Sequence, residues 1–399
     1  MTKIRTLKSL SLMNQRVLIR VDFNVPVESG KVTDDFRVRS ALPTIRACLK
    51  NGASVVLMSH LGRPGGRRVE NLSLVRVGEV VCDLLEKPAK FSGDCVSEEA
   101  IDVSGSLSPG EIHLLENLRF HPGETANDPA FSVLLARHGT VYVNDAFGTA
   151  HRAHASNVGV ASHFRERGMG LLMEKEHRFL SGSLKNPRRP LTIVVGGAKV
   201  GTKLALMSRF LQDADSILVG GAMAFTFLKS QGLSVGRSLV EDDSLEAAGR
   251  ILSIARERKV SFHLPVDVVV TRDVASGRPG GERDVDDLEQ DLQGVDIGSK
   301  TVQSFRQVIE ESKTVVWNGP MGVFEMSSFQ RGTVAVARSI ARIARSGGTA
   351  VVGGGDTAAA VRRLGLDGQM THISTGGGAS LELLAGKSLP AFEALRTDD

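Results

Sequence analysis

The chain reads as an α/β protein, with two doubly wound, Rossmann-like parallel-sheet domains joined by a hinge helix. Three features point there. Short β-branched runs alternate with helix-period segments along the whole length, the pattern of parallel sheets with crossover helices. At 399 residues the chain exceeds what one hydrophobic core usually supports, so two domains are expected. Glycine clusters follow strand ends rather than forming a repeat, and in open α/β sheets those ends are where ligands bind.

Taken in order, the first half opens with a strand over 16–21 that runs into Asp22-Phe23-Asn24. A helix over 38–50 follows, with Arg37 and Arg39 at its start. A strand over 54–58 ends at Ser59-His60-Leu61-Gly62-Arg63-Pro64, and a helix over 74–86 comes next. Strands over 111–115 and 140–143 lead into Glu116-Asn117-Leu118-Arg119-Phe120 and the run from Asp145 to His154. A charged helical stretch over 171–180, followed by Ser181 to Pro187, interrupts the alternation and is the expected domain connection. The second half places strands at 191–195, 216–219, 267–270, 314–317 and 349–352, with helices at 203–211, 244–258 and 329–345. The expected boundaries are 1–172 for the first domain, 173–188 for the connecting helix and linker, and 189–388 for the second domain.

Composition excludes several classes. Hydrophobic residues at 41% and charged residues at 24% match a folded globular protein rather than a disordered one. The net charge of +4 comes from 49 basic and 45 acidic residues that are interspersed, without the Lys/Arg block of a nucleic-acid binder. The N-terminus lacks the apolar stretch of a signal peptide. The longest apolar run, 217–228, is far shorter than the roughly 20 residues of a membrane helix. Cys48, Cys82 and Cys95 are an odd number without metal or redox spacing, which favours reduced thiols that pack in a soluble, cytoplasmic protein.

The loops of the two halves differ in chemistry. Those of the first carry Arg, His and Asn. Arginine's planar fork binds carboxylate and phosphate at two points, so several arginines at neighbouring strand ends suit a small, multiply charged acid. His151 and His154 alone would suit zinc, but no further Cys or His is suitably spaced nearby. The loops of the second half run on glycine. Gly196-Gly197-Ala198-Lys199 leads to Lys203, Gly220-Gly221 precedes an apolar stretch suited to an adenine ring, and Gly353-Gly354-Gly355-Asp356-Thr357 and Gly376-Gly377-Gly378 each precede a helix. Such loops let main-chain amides approach phosphate at a helix N-terminus.

Gly353, Gly355 and Ala358 also satisfy a loose dinucleotide fingerprint, which would make the protein a dehydrogenase. Asp356 favours the other reading. A carboxylate facing a pyrophosphate repels it unless a divalent cation lies between, and magnesium takes one or two carboxylates together with phosphate oxygens. The acidic residue a dehydrogenase places about 20 residues on is not evident. A sensor that binds nucleotide without turnover has no evident use for cations on both sides of a transferred phosphate.

Together these motifs resemble the phosphoglycerate kinase family, and the likeness extends over essentially the whole chain in the family's order. It is carried by Arg20 to Pro26, Ser59 to Pro64, Glu116 to Phe120, Asn144 to Ser156, Gly196 to Lys203, Gly220 to Leu228, Trp317 to Glu325, Gly353 to Thr357 and Ser374 to Ser380. The resemblance implies reversible phosphoryl transfer between 1,3-bisphosphoglycerate and ADP, giving 3-phosphoglycerate and ATP with Mg2+. It implies that Asp22, Phe23, Asn24, Arg37, His60, Leu61, Gly62, Arg63, Arg119 and Arg152 hold the acid. The nucleotide then falls to Gly197, Lys203, Gly221, Asn318, Glu325 and Gly354 to Thr357, with Asp356 on the metal. Arg37, Lys199 and Lys203, with the amides of Gly377 and Gly378, become the groups on the transferring phosphoryl. The family also implies hinge closure, a monomer, and a C-terminal segment, 389–399, that returns to the first domain.

Overall fold

The structure, a computed structural model, describes residues 3–397. The chain forms two compact units, one of Met1–His177 with Ser388–Asp399 and one of Arg178–Lys387.

In the first unit, β1 (Arg16–Arg20), β2 (Ser54–Met58), β3 (Lys90–Ser92), β4 (Ile112–Leu115), β5 (Val141–Asn144) and β6 (Arg167–Met169) form one sheet in the order β3-β4-β2-β1-β5-β6. Every pairing in it is parallel. A parallel sheet is covered on both faces, which is why its strands are apolar runs rather than alternations. Ile19 of β1, for example, sits in register with Leu57 of β2 and Val143 of β5, and all three are fully buried. Strand order reverses at β1, so the crevice beyond the carboxyl ends of β1, β2 and β5 is the natural ligand position.

The C-terminal segment belongs to this unit. Lys3–Ile4 pairs antiparallel with Arg396–Thr397, Ala391 N donates to Ala150 O at 3.1 Å, and the Phe392 ring lies 5.0 Å from that of His177. Residues 398 and 399 of the expected returning segment lie outside the described residues, as do Met1 and Thr2.

The connecting helix spans Leu171–Lys185, and the division between units falls inside it. Its first amides are held from the first unit. Leu171 N donates to Thr44 Oγ1 at 2.9 Å and Met173 N to Asp145 Oδ1 at 3.1 Å. The sequence reading made Ser181 to Pro187 a linker, whereas the helix continues through Lys185. Ser181 and Gly182 are only mildly unfavourable in a helix, and no proline intervenes before Pro187.

In the second unit the strands are β7 (Leu191–Val195), β8 (Ser216–Val219), β9 (Ser261–His263), β10 (Asp267–Thr271), β11 (Glu282–Asp284), β12 (Gln293–Ile297), β13 (Thr314–Asn318), β14 (Thr349–Gly353) and β15 (His372–Ile373). Six of them form a parallel sheet in the order β9-β8-β7-β13-β14-β15, which reverses at β7. The expectation that β10 joins the parallel alternation is corrected. It is the centre of a separate antiparallel sheet, β11-β10-β12. A fully buried five-residue run reads alike in both settings, and only its partners tell them apart.

Candidate functional site

In the first unit a cluster of cations gathers at the ends of β1, β2, β4 and β5. Asp22, 5% exposed, follows β1 and pairs with Arg37 Nη1 at 3.1 Å. The same Nη1 donates to Asn24 O at 3.0 Å, so the first turn of the helix Phe36–Lys50 is tied to the loop after β1. Asn24 Oδ1 in turn accepts from Gly62 N at 2.8 Å, which joins that loop to the one after β2. Arg119 closes the ring by donating from Nη1 to Gly62 O at 2.8 Å.

The remaining donors of Arg119 matter most. The residue is 6% exposed, and its Nε and Nη2 are buried without a hydrogen-bond partner among the described residues. Burial, with Arg20 and Arg152 nearby, lowers its pKa to about 10. An unmet buried guanidinium donor costs about 1 to 3 kcal/mol or more, so the site is built for an anion that supplies the acceptors. His60 is held well below its ordinary pKa by burial, then by Arg20, Arg119, Arg37 and Arg152. His154 falls to about 4 through burial, then through Arg119, Arg20 and Arg152. Both rings are therefore neutral at pH 7, and the guanidinium groups carry the positive charge.

The other residues expected here divide in two. Arg152 lies on the loop after β5 and donates to His151 Nε2 at 3.3 Å, while Arg63 is exposed on the loop after β2. Phe23 and Leu61 contribute no side chain to the site, because both are buried in the hydrophobic core of the unit. Ser59 Oγ takes the Phe23 amide at 2.9 Å, and Asn117 takes both main-chain groups of Leu61. They shape the loops that carry the polar residues.

The second unit presents amides instead. Three strand ends meet closely at Gly196, Gly221 and Gly319. Gly197 N donates to Pro320 O at 2.8 Å, and Gly221 N to Met321 O at 2.9 Å. Lys203, 8% exposed, sends Nζ to Gly196 O and, at 3.3 Å, to Asn318 O. Burial lowers its pKa to about 8 and Asp356 opposes the shift, so a largely charged ammonium is held at the crossing of the loops. Lys199 is exposed on the loop before it.

Gly354 stands ahead of the helix Gly355–Arg363 with φ +93°, and a Cβ there would lie 2.9 Å from Asn318 Nδ2. That Nδ2 is buried with no hydrogen-bond partner among the described residues. Thr357 Oγ1 accepts from Gly319 N at 2.6 Å, which fixes the helix start against β13. The helix Gly377–Leu384 begins alongside, since a Cβ on Gly377 would come 3.5 Å from Gly355 N. Two helix N-termini and one unmet amide donor thus converge, and each helix start favours an anion by about 0.3 to 1 kcal/mol. Gly355, Asp356 and Gly378 are exposed at this point.

Next to it lies a cavity of about 220 Å³ with largely apolar walls, among them Gly221, Phe225, Leu239, Met321 and Phe324. Glu325 and Asp356 stand on its lining. Asp296 also lines it, a residue that sequence reading missed. Its carboxylate accepts from Ile297 N at 2.9 Å and Gly332 N at 2.7 Å, and burial raises its pKa to about 7. Arg20 was also missed as a site residue. The signal was a cation at the end of a strand with an apolar centre, two residues before Asp22.

Guanidinium donors in one unit and main-chain amides in the other, on two Rossmann-like frames, define a phosphotransferase of the kinase class. The model of the family "Phosphoglycerate kinase" matches residues 7–387. Proteins so named from Chloroherpeton thalassium and Thermosynechococcus vestitus are 48% and 47% identical to this chain; the alignments cover 98% of it in both cases, and 99% and 98% of the relatives. Among solved structures, phosphoglycerate kinase from Coxiella burnetii superposes with a TM-score of 0.88 at 40% identity, covering 98% of this chain and 99% of that one. The enzyme from Pyrococcus horikoshii gives 0.85 at 33% identity, covering 98% of each chain. The chain belongs to the phosphoglycerate kinase family.

Proposed function

We propose that the chain carries a phosphoryl group reversibly between 1,3-bisphosphoglycerate and ADP, giving 3-phosphoglycerate and ATP, as a monomer in the cytoplasm. The observation that carries the acid's place is Arg119, whose Nε and Nη2 are buried without a hydrogen-bond partner among the described residues, with the charges of Arg20 and Arg152 close by. Arg37, Arg63, Arg119 and Arg152 grip the acid's carboxylate and phosphate, with Asp22 and Asn24 setting Arg37 and Gly62.

The nucleotide's base lies in the apolar cavity by Gly221 and Phe225, and its phosphates lie over the helix starts at Gly354–Thr357. Asn318 Nδ2 then finds its acceptor there, and Glu325 takes the ribose. Asp356 suits magnesium, because its exposed carboxylate stands where phosphate oxygens supply the other ligands. The ion, when bound with the nucleotide, screens phosphate charge.

Both nucleophiles, a carboxylate in one direction and an ADP phosphate in the other, are already anionic, so no strong general base is required. Catalysis rests on alignment and on cancelling charge over the group in transit. Lys199, Lys203, Arg37 and the amides of Gly377 and Gly378 provide that charge. Direct in-line transfer requires the two reactants to meet, and we place the closing motion in the helix Leu171–Lys185.

A coupled assay with 3-phosphoglycerate and MgATP tests the reading. Turnover supports it, and hydride transfer to NAD instead would overturn it. Arg37→Ala should lower mainly kcat, and Asp356→Ala should weaken MgADP binding.

A further inference from the structure

Behind the cation cluster lies a buried chain of hydrogen bonds whose direction is fixed by which groups can only donate. Arg20 closes β1 and is fully buried. Its Nε donates to Ser156 Oγ at 2.8 Å, its Nη1 to Val21 O, and its Nη2 approaches His60 Nδ1 at 3.1 Å. A guanidinium has no acceptor, so His60 Nδ1 must offer its lone pair, and the ring proton of the neutral imidazole then resides on Nε2.

The chain is anchored at its far end. Ser156 Oγ accepts from Arg20, which directs its own hydrogen to Glu124 Oε1 at 2.7 Å, while Ser156 N donates to Oε2 at 2.9 Å. Tyr142 Oη holds the Ser156 carbonyl at 2.7 Å. Glu124 is fully buried and its carboxylate is the counter-charge behind Arg20. The other charged groups facing His60 are Arg37, Arg119 and Arg152, with Asp22. Asp22 Oδ1 would favour a proton on Nδ1, but at 3.9 Å it is beyond hydrogen-bond reach, whereas Arg20 is within it.

We propose that Glu124 and Ser156 are positioning residues that act through Arg20 to hold His60 as its Nε2–H tautomer, so that the ring offers an anionic substrate a neutral donor. With the proton on Nδ1, the Nε2 lone pair would repel the same oxygen. The proposal rests on the reading of this cluster as the acid's site, and it assigns work to two residues that do not touch the acid.

The test uses the full chain. Long-range imidazole ¹H–¹⁵N spectra at neutral pH should show His60 as pure Nε2–H, with its titration displaced well below the ordinary imidazole range. Ser156→Ala should mix the tautomers. The same variant should raise KM for 3-phosphoglycerate about tenfold, the equivalent of about 1.4 kcal/mol, while kcat and KM for MgATP change by no more than about twofold. Ser156→Thr, which keeps the hydroxyl, should restore both readouts, and Glu124→Gln serves if Ser156→Ala does not fold. A wild-type ring protonated on Nδ1, or spectra unaltered by both Ser156→Ala and Glu124→Gln, overturns the relay. A tautomer change that leaves KM unmoved instead overturns the assignment of this cluster to the acid.

Discussion

Lys203 Nζ stands 3.3 Å from the main-chain oxygen of Asn318 and also donates to Gly196 O, so a buried ammonium pins together the loops after β7 and β13. Its pKa falls to about 8 from the ordinary 10.5 because burial disfavours the charge. Without a compensating anion this buried charge is a cost, which a phosphate held at the proposed nucleotide site would offset.

Lys203→Met should therefore separate stability from activity. Removing an imperfectly compensated buried charge leaves the ligand-free chain as stable as before or more so, by about 1 to 3 kcal/mol. Turnover should fall about 10² to 10³-fold with the loss of one preorganised donor. Denaturant midpoints without and with MgADP, alongside kcat, check this. A variant destabilised without ligand would show that the ammonium is a structural brace.

Arg119→Lys keeps the charge and loses the fork. The two unmet donors, Nε and Nη2, are the groups an acid would satisfy. KM for 3-phosphoglycerate should rise about 10 to 100-fold, since a charge-assisted hydrogen bond is worth about 1.5 to 3 kcal/mol, while KM for MgATP stays as it was. Steady-state kinetics with each substrate varied in turn would show it. An equal rise in both constants would contradict the division of substrates between the units.

Gly319→Ala should damage the second unit. Gly319 has φ +101°, and a Cβ there would lie 2.2 Å from Gly196 O, a main-chain atom with no room to yield. Strain of this kind costs about 3 kcal/mol or more, visible as a lowered Tm or as insoluble protein. An unchanged Tm would mean that the loops after β7 and β13 are looser than their hydrogen bonds imply.

Acid should weaken the first unit through two buried histidines. Ser104 Oγ lies 2.8 Å from His113 Nδ1 and 2.7 Å from His138 Nδ1, and His138 Nε2 donates to Cys95 O at 3.0 Å. Burial lowers both rings to about 4 from 6.5. The unfolded chain binds more protons than the native one between those values, so this stability is complete above about pH 6.5 and is lost as pH falls towards 4. The effect is on the order of 3 kcal/mol for each ring. Urea unfolding across that range should show the decline, and His113→Gln should reduce its slope.

The central strands were legible because a buried parallel strand is an apolar run whatever its neighbours. Ser54–Met58, Leu191–Val195 and Ser216–Val219 are bounded in the structure as the sequence suggests. The edge strands Lys90–Ser92, Arg167–Met169 and His372–Ile373 left no such trace, since two or three residues cannot display a period. The polar loops were legible too, because glycine and arginine at strand ends are chemically distinct from packing residues.

What the sequence alone determined is therefore the kind of group each loop carries and the alternation of strand and helix, both local properties of consecutive residues. Tertiary structure alone decided the partners. It placed Asp267–Thr271 in its own antiparallel sheet, buried Phe23 and Leu61 beneath the loops they belong to, and set Arg20 between Ser156 and His60. A hydrogen bond between residues 136 positions apart leaves no periodic mark in either segment, because donor and acceptor meet only once the sheet has assembled.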